Sequence, residues 1–553
     1  IGPSAGRTSQ GASSVAVGVF AGLTSQDNGC VAVGNFAGKT SQGTQSVAVG
    51  SQAAETSQGT QSVAIGNVAG QSTQGIQSIA VGQAAGQTTQ GTQSVAVGTV
   101  AGQTSQGAAS VAVGYYAGQT TQGDSAVAIG SFAGRTSQGT LAVAIGRLAG
   151  NNTQGDKSVS VGYLAGNDTQ GLNGIAIGNA AGKTSQGTSA VAYGARAGEF
   201  SQGDQSIAIG RDAGNNTQGN FSIAVGRNAG YTSQGEYSIA AGNFAGNDIQ
   251  GGNAVSIGRE AGRNTQGASS VAIGSSAGRD SQGTESVAIG ISAGDSAQGA
   301  SSVAVGRLAG QTTQGVQSVA IGSAAGKNSQ GTLSVAVGVN AAVTSQGERS
   351  VAVGQQAGNN TQGTYSVGVG YQAGLTSQGS TAVAVGAGAA ATTQGNYAIA
   401  VGSSAGQTTQ GANSVAVGYL AGQSNQAANG IIINSSGAPV NNTVAGHINI
   451  ESTTSWLRAT GGNWTASGTI STNGDLNVRP AGLGSEGGQI NLLNGVNYAA
   501  AWNIDIVSGA TPNFRIYNAA VSTLAQLSWG GTSWSVTSDI NKKDVTGNVE
   551  NAT

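Results

Sequence analysis

The chain has very little histidine, cysteine, proline or charge. Its 553 residues include one histidine, one cysteine and four prolines, and Asp, Glu, Lys and Arg together make up 8%. A single cysteine, Cys30, excludes an intrachain disulfide. His447 lies more than 400 residues from Cys30, which argues against a nucleophilic triad or a zinc site built on them, so no metal and no cofactor are expected. Net charge is −2, with neither a basic patch for nucleic acid nor an acidic tail. No apolar run approaches the roughly 18 residues that span a bilayer, so membrane insertion is not expected. The first residue is Ile1, not methionine, and it falls inside a repeat. The sequence therefore reads as a fragment, and a missing signal peptide carries no information.

Glycine, by contrast, is abundant at 97 residues. Collagen would need glycine at every third position and much more proline. The glycines here follow a longer period. Stepping by sixteen from Ser14 passes through Cys30, Ser46 and Ser62 and reaches Gly430 in 26 steps, giving 27 copies with no insertion or deletion. The consensus is S-V-A-V/I-G-x-x-A-G-x-T-S/T-Q-G-x-x. Three columns never vary: the glycine from Gly2 to Gly418, the alanine from Ala5 to Ala421, and the glutamine from Gln10 to Gln426. Cys30 stands where most copies have serine, as a small residue in a packed slot.

In SVAVG, alternate residues share a face. Val47 and Val49 point one way, Ala48 and Ser46 the other. The invariant glycine turns the chain out of this strand. The T-S-Q-G segment supplies a second short polar strand and a second turn. Two strands and two turns in sixteen residues fit a flattened two-sided roll better than a triangular β-helix, which takes about 18 residues per coil. The fold expected for residues 1–433 is thus an all-β, parallel β-roll solenoid of 27 coils, a rod of roughly 130 Å at about 4.8 Å per coil. Its Val/Ile residues are the expected burial in each coil, and they are few for sixteen ordered residues. As far as Ala416, the alanine column admits only the small exceptions Ser160, Ser256 and Gly368. That restriction indicates close approach, to the opposite wall of the roll or to another chain. A parallel homotrimer is expected, with either the alanine or the valine face turned to its axis. The glutamine column, represented by Gln10, Gln26, Gln42, Gln218 and Gln426, reads as a hydrogen-bonded ladder of stacked amides.

The SVAVG/SVAIG…AG…G repeat resembles the β-roll of trimeric autotransporter adhesin heads. It resembles more closely the repeats of phage and giant-virus tail-fibre proteins, whose coils carry similar T-Q-G segments. The resemblance covers about 430 residues and implies a left-handed, trimeric fibre.

Past the repeats the composition changes. SNQAANGIIINSSGAPVNNTVAG at 424–446 is a degraded last copy, as expected of a solenoid end, and IIINSSGAPVNNT resembles the junction that follows such repeats in phage fibres. All five tryptophans lie beyond it. HINIE, ISTNGDLNV with its Asn-Gly turn, QINLLNG, VNYAAAWNIDIV, FRIY and LAQLSW make residues 434–537 a β-rich tip domain. An aromatic residue in such a domain serves a core or binds sugar rings. On the second alternative, Trp456, Trp464, Tyr498, Trp502, Trp529 and Trp534 are the receptor-binding candidates. The final segment, 538–553, resembles the start of an endosialidase-type intramolecular chaperone. That resemblance implies trimerisation and self-cleavage before Ser538, with Ser538, Asp539 and Lys542 as the autocleavage element. Asn541 stands where the family often has arginine.

No catalytic residue is expected in the rod. Glycine strings such as VGSSAG imitate nucleotide loops without the helix that should follow. The turns lack the aspartates of calcium-binding rolls. The expected protein is not an enzyme but a virus tail fibre in the virion. Its expected partners are its own copies, other tail components and a host cell-surface glycan or protein. The alternative is the head of a bacterial trimeric adhesin on the cell surface. A polysaccharide-degrading tailspike, for which Asp475, Glu486 and Asp505 are available acids, is the lesser alternative.

Overall fold

The computed structural model describes residues 1–454. Beyond them it describes the backbone of Trp456–Thr460, Asn463–Ala466, Gln489–Leu492, Trp502–Val507, Asn513–Asn518 and Val521–Ser528. Two compact units divide the chain, Ile1–Ser467 and Gly468–Thr553.

The first unit is a parallel β-solenoid, and its described residues contain no helix. In the coil 46–61, a three-residue strand, Val47–Val49, is followed by a turn, a two-residue strand, Ser57–Gln58, and a second turn. Each strand pairs in parallel with its equivalent one coil later. Val47 lies opposite Val63, Ala48 opposite Ala64 and Val49 opposite Ile65. On the other sheet, Ser57 faces Thr73 and Gln58 faces Gln74. The step of sixteen holds without a break to the pairing of Val415 with Ile431.

The turns explain why no copy carries an insertion. They too are hydrogen-bonded from coil to coil. Gly50 N donates to Val33 O at 2.8 Å, Gln52 N to Asn35 O at 2.7 Å, Ala54 N to Ala69 O at 2.8 Å and Gln61 N to Thr44 O at 2.9 Å. In most coils two non-glycine residues, such as Gln52 and Gln61, hold φ near +58°. That left-handed backbone is disfavoured for L-residues, and the stacking bonds on either side hold it.

The interior reverses one sequence expectation. Val47 and Val49 do not fill the coil. They point outward, while Ser46, Ala48 and Ala53 are fully buried and Gln58 nearly so. The core is therefore two alanine columns, a serine column and a glutamine column. The gap between the two short strands accepts a methyl group from one wall because the other wall sends a long amide across it. Of the two explanations for the small-residue column, the one found is close approach to the opposite wall.

The rod ends by changing its step. Ile432 takes the alanine position and is fully buried. Asn434 takes the glycine position, and its Nδ2 donates to Tyr419 O and Ala438 O, both at 2.7 Å. The next strand, Ile448–Glu451, pairs seventeen residues on, with Ile431 opposite Ile448. Trp456–Thr460 then pairs antiparallel to it, and Asn463–Ala466 antiparallel to that. In the second unit, Gln489–Leu492, Trp502–Val507, Asn513–Asn518 and Val521–Ser528 form a four-stranded antiparallel sheet.

Candidate interaction surfaces

The outer face of the three-residue strands is the largest apolar surface described. The Val47 column is valine or isoleucine in all 27 copies, from Val15 to Ile431. The Val49 column departs only at Tyr193 and Ala241. These side chains are half-exposed; Ile65, Ile209 and Ile321 show 40%, 39% and 41% of their surface. More than fifty of them leave on the order of 2,000 Å² of aliphatic surface open along one side of the rod. Most other exposed columns vary, although the Ser57 column stays serine or threonine everywhere but at Ile249, Ala297 and Asn425. The exposed Gln61 column, for example, includes Ser125, Leu141, Lys157, Tyr237 and Glu285. The restriction to β-branched aliphatics was visible in the sequence. Its outward direction was not, because alternation assigns residues to faces without saying which face is inside.

Inside, each glutamine crosses from the two-residue strand to the three-residue strand. Gln26 Nε2 donates to Val15 O at 3.0 Å and to Gln42 Oε1 at 3.0 Å. Gln42 Nε2 reaches Val31 O at 2.9 Å, and Gln218 Nε2 reaches Ile207 O at 2.8 Å. Gln426 donates to Val415 O at 2.8 Å and accepts from Gln410 Nε2 at 3.2 Å. Gln10, in the exposed first coil, bonds only Ser14 O, at 3.0 Å. Bonds between glutamines of successive coils occur in some coils and not in others. Gln234 Oε1, among others, is buried without a donor. Where serine replaces alanine, that donor exists: Ser160 Oγ donates to Gln170 Oε1 at 2.7 Å and Ser256 Oγ to Gln266 Oε1 at 2.6 Å. Ala224 stands in the same relation to Gln234. Ala224→Ser is therefore expected to raise stability, by about 1 kcal/mol. Urea denaturation measures it; the loss usual for a hydroxyl placed in an apolar slot would contradict it.

Four of the rod's nine ion pairs lie wholly in the turn after Ala53. Lys39–Glu55 (3.4 Å), Lys183–Glu199 (3.6 Å) and Arg279–Asp295 (3.2 Å) each join a base to an acid one coil later in a single column. Burial pushes the Asp295 carboxyl above its ordinary range, and Arg279 pulls it back in part. A hydrogen bond to Asp280 raises Arg279. Aromatic side chains stack between coils, as in Phe20 on Phe36 (5.2 Å) and Phe221 on Tyr237 (5.0 Å).

Of the receptor-binding candidates, Trp456, Trp464 and Trp502 lie on described strands, opposite Glu451, Ala459 and Leu492. Tyr498, Trp529 and Trp534 lie outside the described residues, as do Ser538, Asp539 and Lys542. The Asn-Gly turn at 473–474, Asp475 and Glu486 lie outside them too, while Asp505 sits opposite Gln489 and Arg515. Among the described residues no group of three His, Cys, Asp or Glu could hold a metal, and no helix is long and apolar enough to cross a membrane.

Residues 41–69, 201–229 and 329–357 match the family model described as the YadA head domain repeat, two copies. The chain carries head repeats of an adhesin type. Each matched segment runs from one two-residue strand past the next and includes two Ser-Val/Ile-Ala-Val/Ile-Gly elements. The three begin whole multiples of sixteen apart, so they fall in one phase of the repeat. No curated protein and no solved structure matches the chain.

Proposed function

We propose that the chain forms the shaft of an extracellular attachment fibre. Three parallel copies pack with their Val/Ile faces toward a common axis, and the residues after the shaft make the contact with the host surface. The observation that carries this reading is the outward Val/Ile face. A monomer's largest exposed apolar patch is typically 300–600 Å². The face here is several times that, and it lies in the range of obligate interfaces. The likeness of the coils to the YadA head repeat supports the same reading, as does the fibre resemblance of the sequence. The internal glutamines then serve as struts of the shaft, and the work is mechanical and adhesive, not catalytic. Three tips on one stiff shaft turn weak individual contacts into firm attachment.

Two settings suit such a fibre. The junction at 431–443 and the Ser538–Lys542 element, through their resemblances, favour a virus tail fibre whose chaperone trimerises it and cleaves before Ser538. The YadA repeats favour a bacterial surface adhesin. Electron microscopy of the native source distinguishes them by where the fibre is attached.

Native mass measurement tests the assembly: three copies are expected, and a folded, stable monomer would end the reading. For the attachment role, residues 1–433 alone and residues 434–553 on a foreign trimeric shaft are offered to host cells. Binding is expected from the second. Binding by the shaft alone would place recognition on the coils instead.

A further inference from the structure

The variable positions along the rod are sorted by charge. Two turns per coil make the two long edges of the roll, and both edges border the Val/Ile face. The Ser51 column follows Val49 by two residues. It carries arginine at 147, 211, 227, 259 and 307 and no acid. The Thr60 column precedes Val63 by three residues. It carries Asp124, Asp156, Asp204, Glu236 and Glu348 and no base. All ten side chains are exposed. The segregation survives when each edge is widened. The columns of Ser51–Thr56 hold 13 basic and 8 acidic residues, and those of Gly59–Gln61 hold 2 basic and 7 acidic.

These rims are largely unpaired within the chain. Among the described residues, Arg147, Arg227 and Arg307 make no ion pair, nor do Asp124, Asp156, Asp204 and Glu236. Three of the acids are nevertheless held in place. Asp124, Asp156 and Asp204 accept through Oδ1 from the backbone N–H of Ala108, Thr140 and Thr188 in the preceding coil, at 2.7–2.8 Å.

We propose that the two rims are the two halves of one contact between copies: the basic rim of each chain lies along the acidic rim of the next. The inference rests on the parallel assembly proposed above and adds what orients it. Rotation about an axis along the rod carries the Ser51 edge of one copy against the Thr60 edge of its neighbour, so unlike charges meet. An antiparallel pairing through the same apolar face would set base against base and acid against acid. Apolar burial alone does not choose between these arrangements, since the Val/Ile columns read the same in both directions. Complementary rims choose. They also favour axial register, because Arg147 and Asp156 belong to one coil, as do Arg227 and Glu236.

The test reverses the rims in the full chain. One variant replaces the five arginines by glutamate, a second replaces the five acids by lysine, and a third combines both sets. Subunit exchange between fluorescently labelled copies is followed at low salt. Either single reversal is expected to speed exchange by about tenfold or more, and the combined variant to return it to near the wild-type rate. High salt should shrink the differences. Exchange unaltered by the single reversals, or left fast in the combined variant, would overturn the proposal. A wild-type protein that is monomeric by mass would instead end the assembly on which it rests. All ten positions are exposed, and circular dichroism of each variant confirms that the coils are folded.

Discussion

Gly226→Ala is expected to destabilise the rod by about 3 kcal/mol per chain, whereas Gly214→Ala, in the preceding coil, is expected to cost about 1 kcal/mol. Both glycines have positive φ, but the two positions differ in kind. Gly226 sits at φ +129°, and an added Cβ would lie 2.5 Å from the backbone oxygen of Gly242 in the next coil. Neither the conformation nor the obstacle can yield, since that oxygen belongs to the stacked backbone. Gly214 sits at φ +52°, and its Cβ would meet the Oε1 of Gln218, the end of a side chain. The protein already places alanine in that column, at Ala54, Ala342 and Ala390, with φ of 47–48°. No copy replaces the glycine of the Gly226 column from Gly2 to Gly418. Thermal or urea unfolding of the two variants measures the difference. Equal losses would mean that close stacking of the backbones does not explain the invariant column.

The second large effect is expected at Gln218→Leu, a loss of about 2 kcal/mol. Leucine nearly matches glutamine in volume, so the substitution removes hydrogen bonds more than packing. The Ile207 carbonyl, which Gln218 Nε2 meets at 2.8 Å, would be left without this donor, and Ser222 O would lose its longer contact at 3.4 Å. Gln205→Leu is the matched control. Gln205 is exposed in a column that already holds Leu141 and Leu333, and its loss is expected to stay within about 0.5 kcal/mol. If the two variants melt together, the amide that crosses the roll contributes nothing that a methyl group cannot.

Much of the fold was legible because the chain states it 27 times. The alternation of SVAVG and the glycines on either side give both strands, both turns and the parallel step of sixteen, and the fold follows them closely at Val47–Val49 and Ser57–Gln58. What the sequence could not show was which side of Val47–Ala48–Val49 faces in. The habit of placing the larger apolar residue inside points to valine, yet the roll is too thin to take it. Invariance does not decide the matter either. Ala48 is constrained by the opposite wall of its own chain. Val47 is as strongly constrained while remaining half-exposed, and one sequence cannot separate those two causes. The charge sorting of the rims became readable only when the turns were seen as edges beside the aliphatic face. At the end of the rod, the alternation in HINIE and WNIDIV foretold strands at Ile448–Glu451 and Trp502–Val507. The candidate site residues beyond the repeats follow no period; of them, Trp456, Trp464 and Trp502 lie on strands.

The direction of the backbone ladders has a mechanical consequence. Strands run across the rod and their hydrogen bonds run along it, so a pull between its ends loads one coil's bonds at a time and not all in shear. A single chain under tension would open like a zipper. Each coil that let go would release sixteen residues, roughly 50 Å of extended backbone in place of about 5 Å of rod. The chain can therefore lengthen about tenfold, coil by coil, before its far end carries the full load. Neighbouring chains bound along the same face would hold each coil in place and raise the force at which the first one opens.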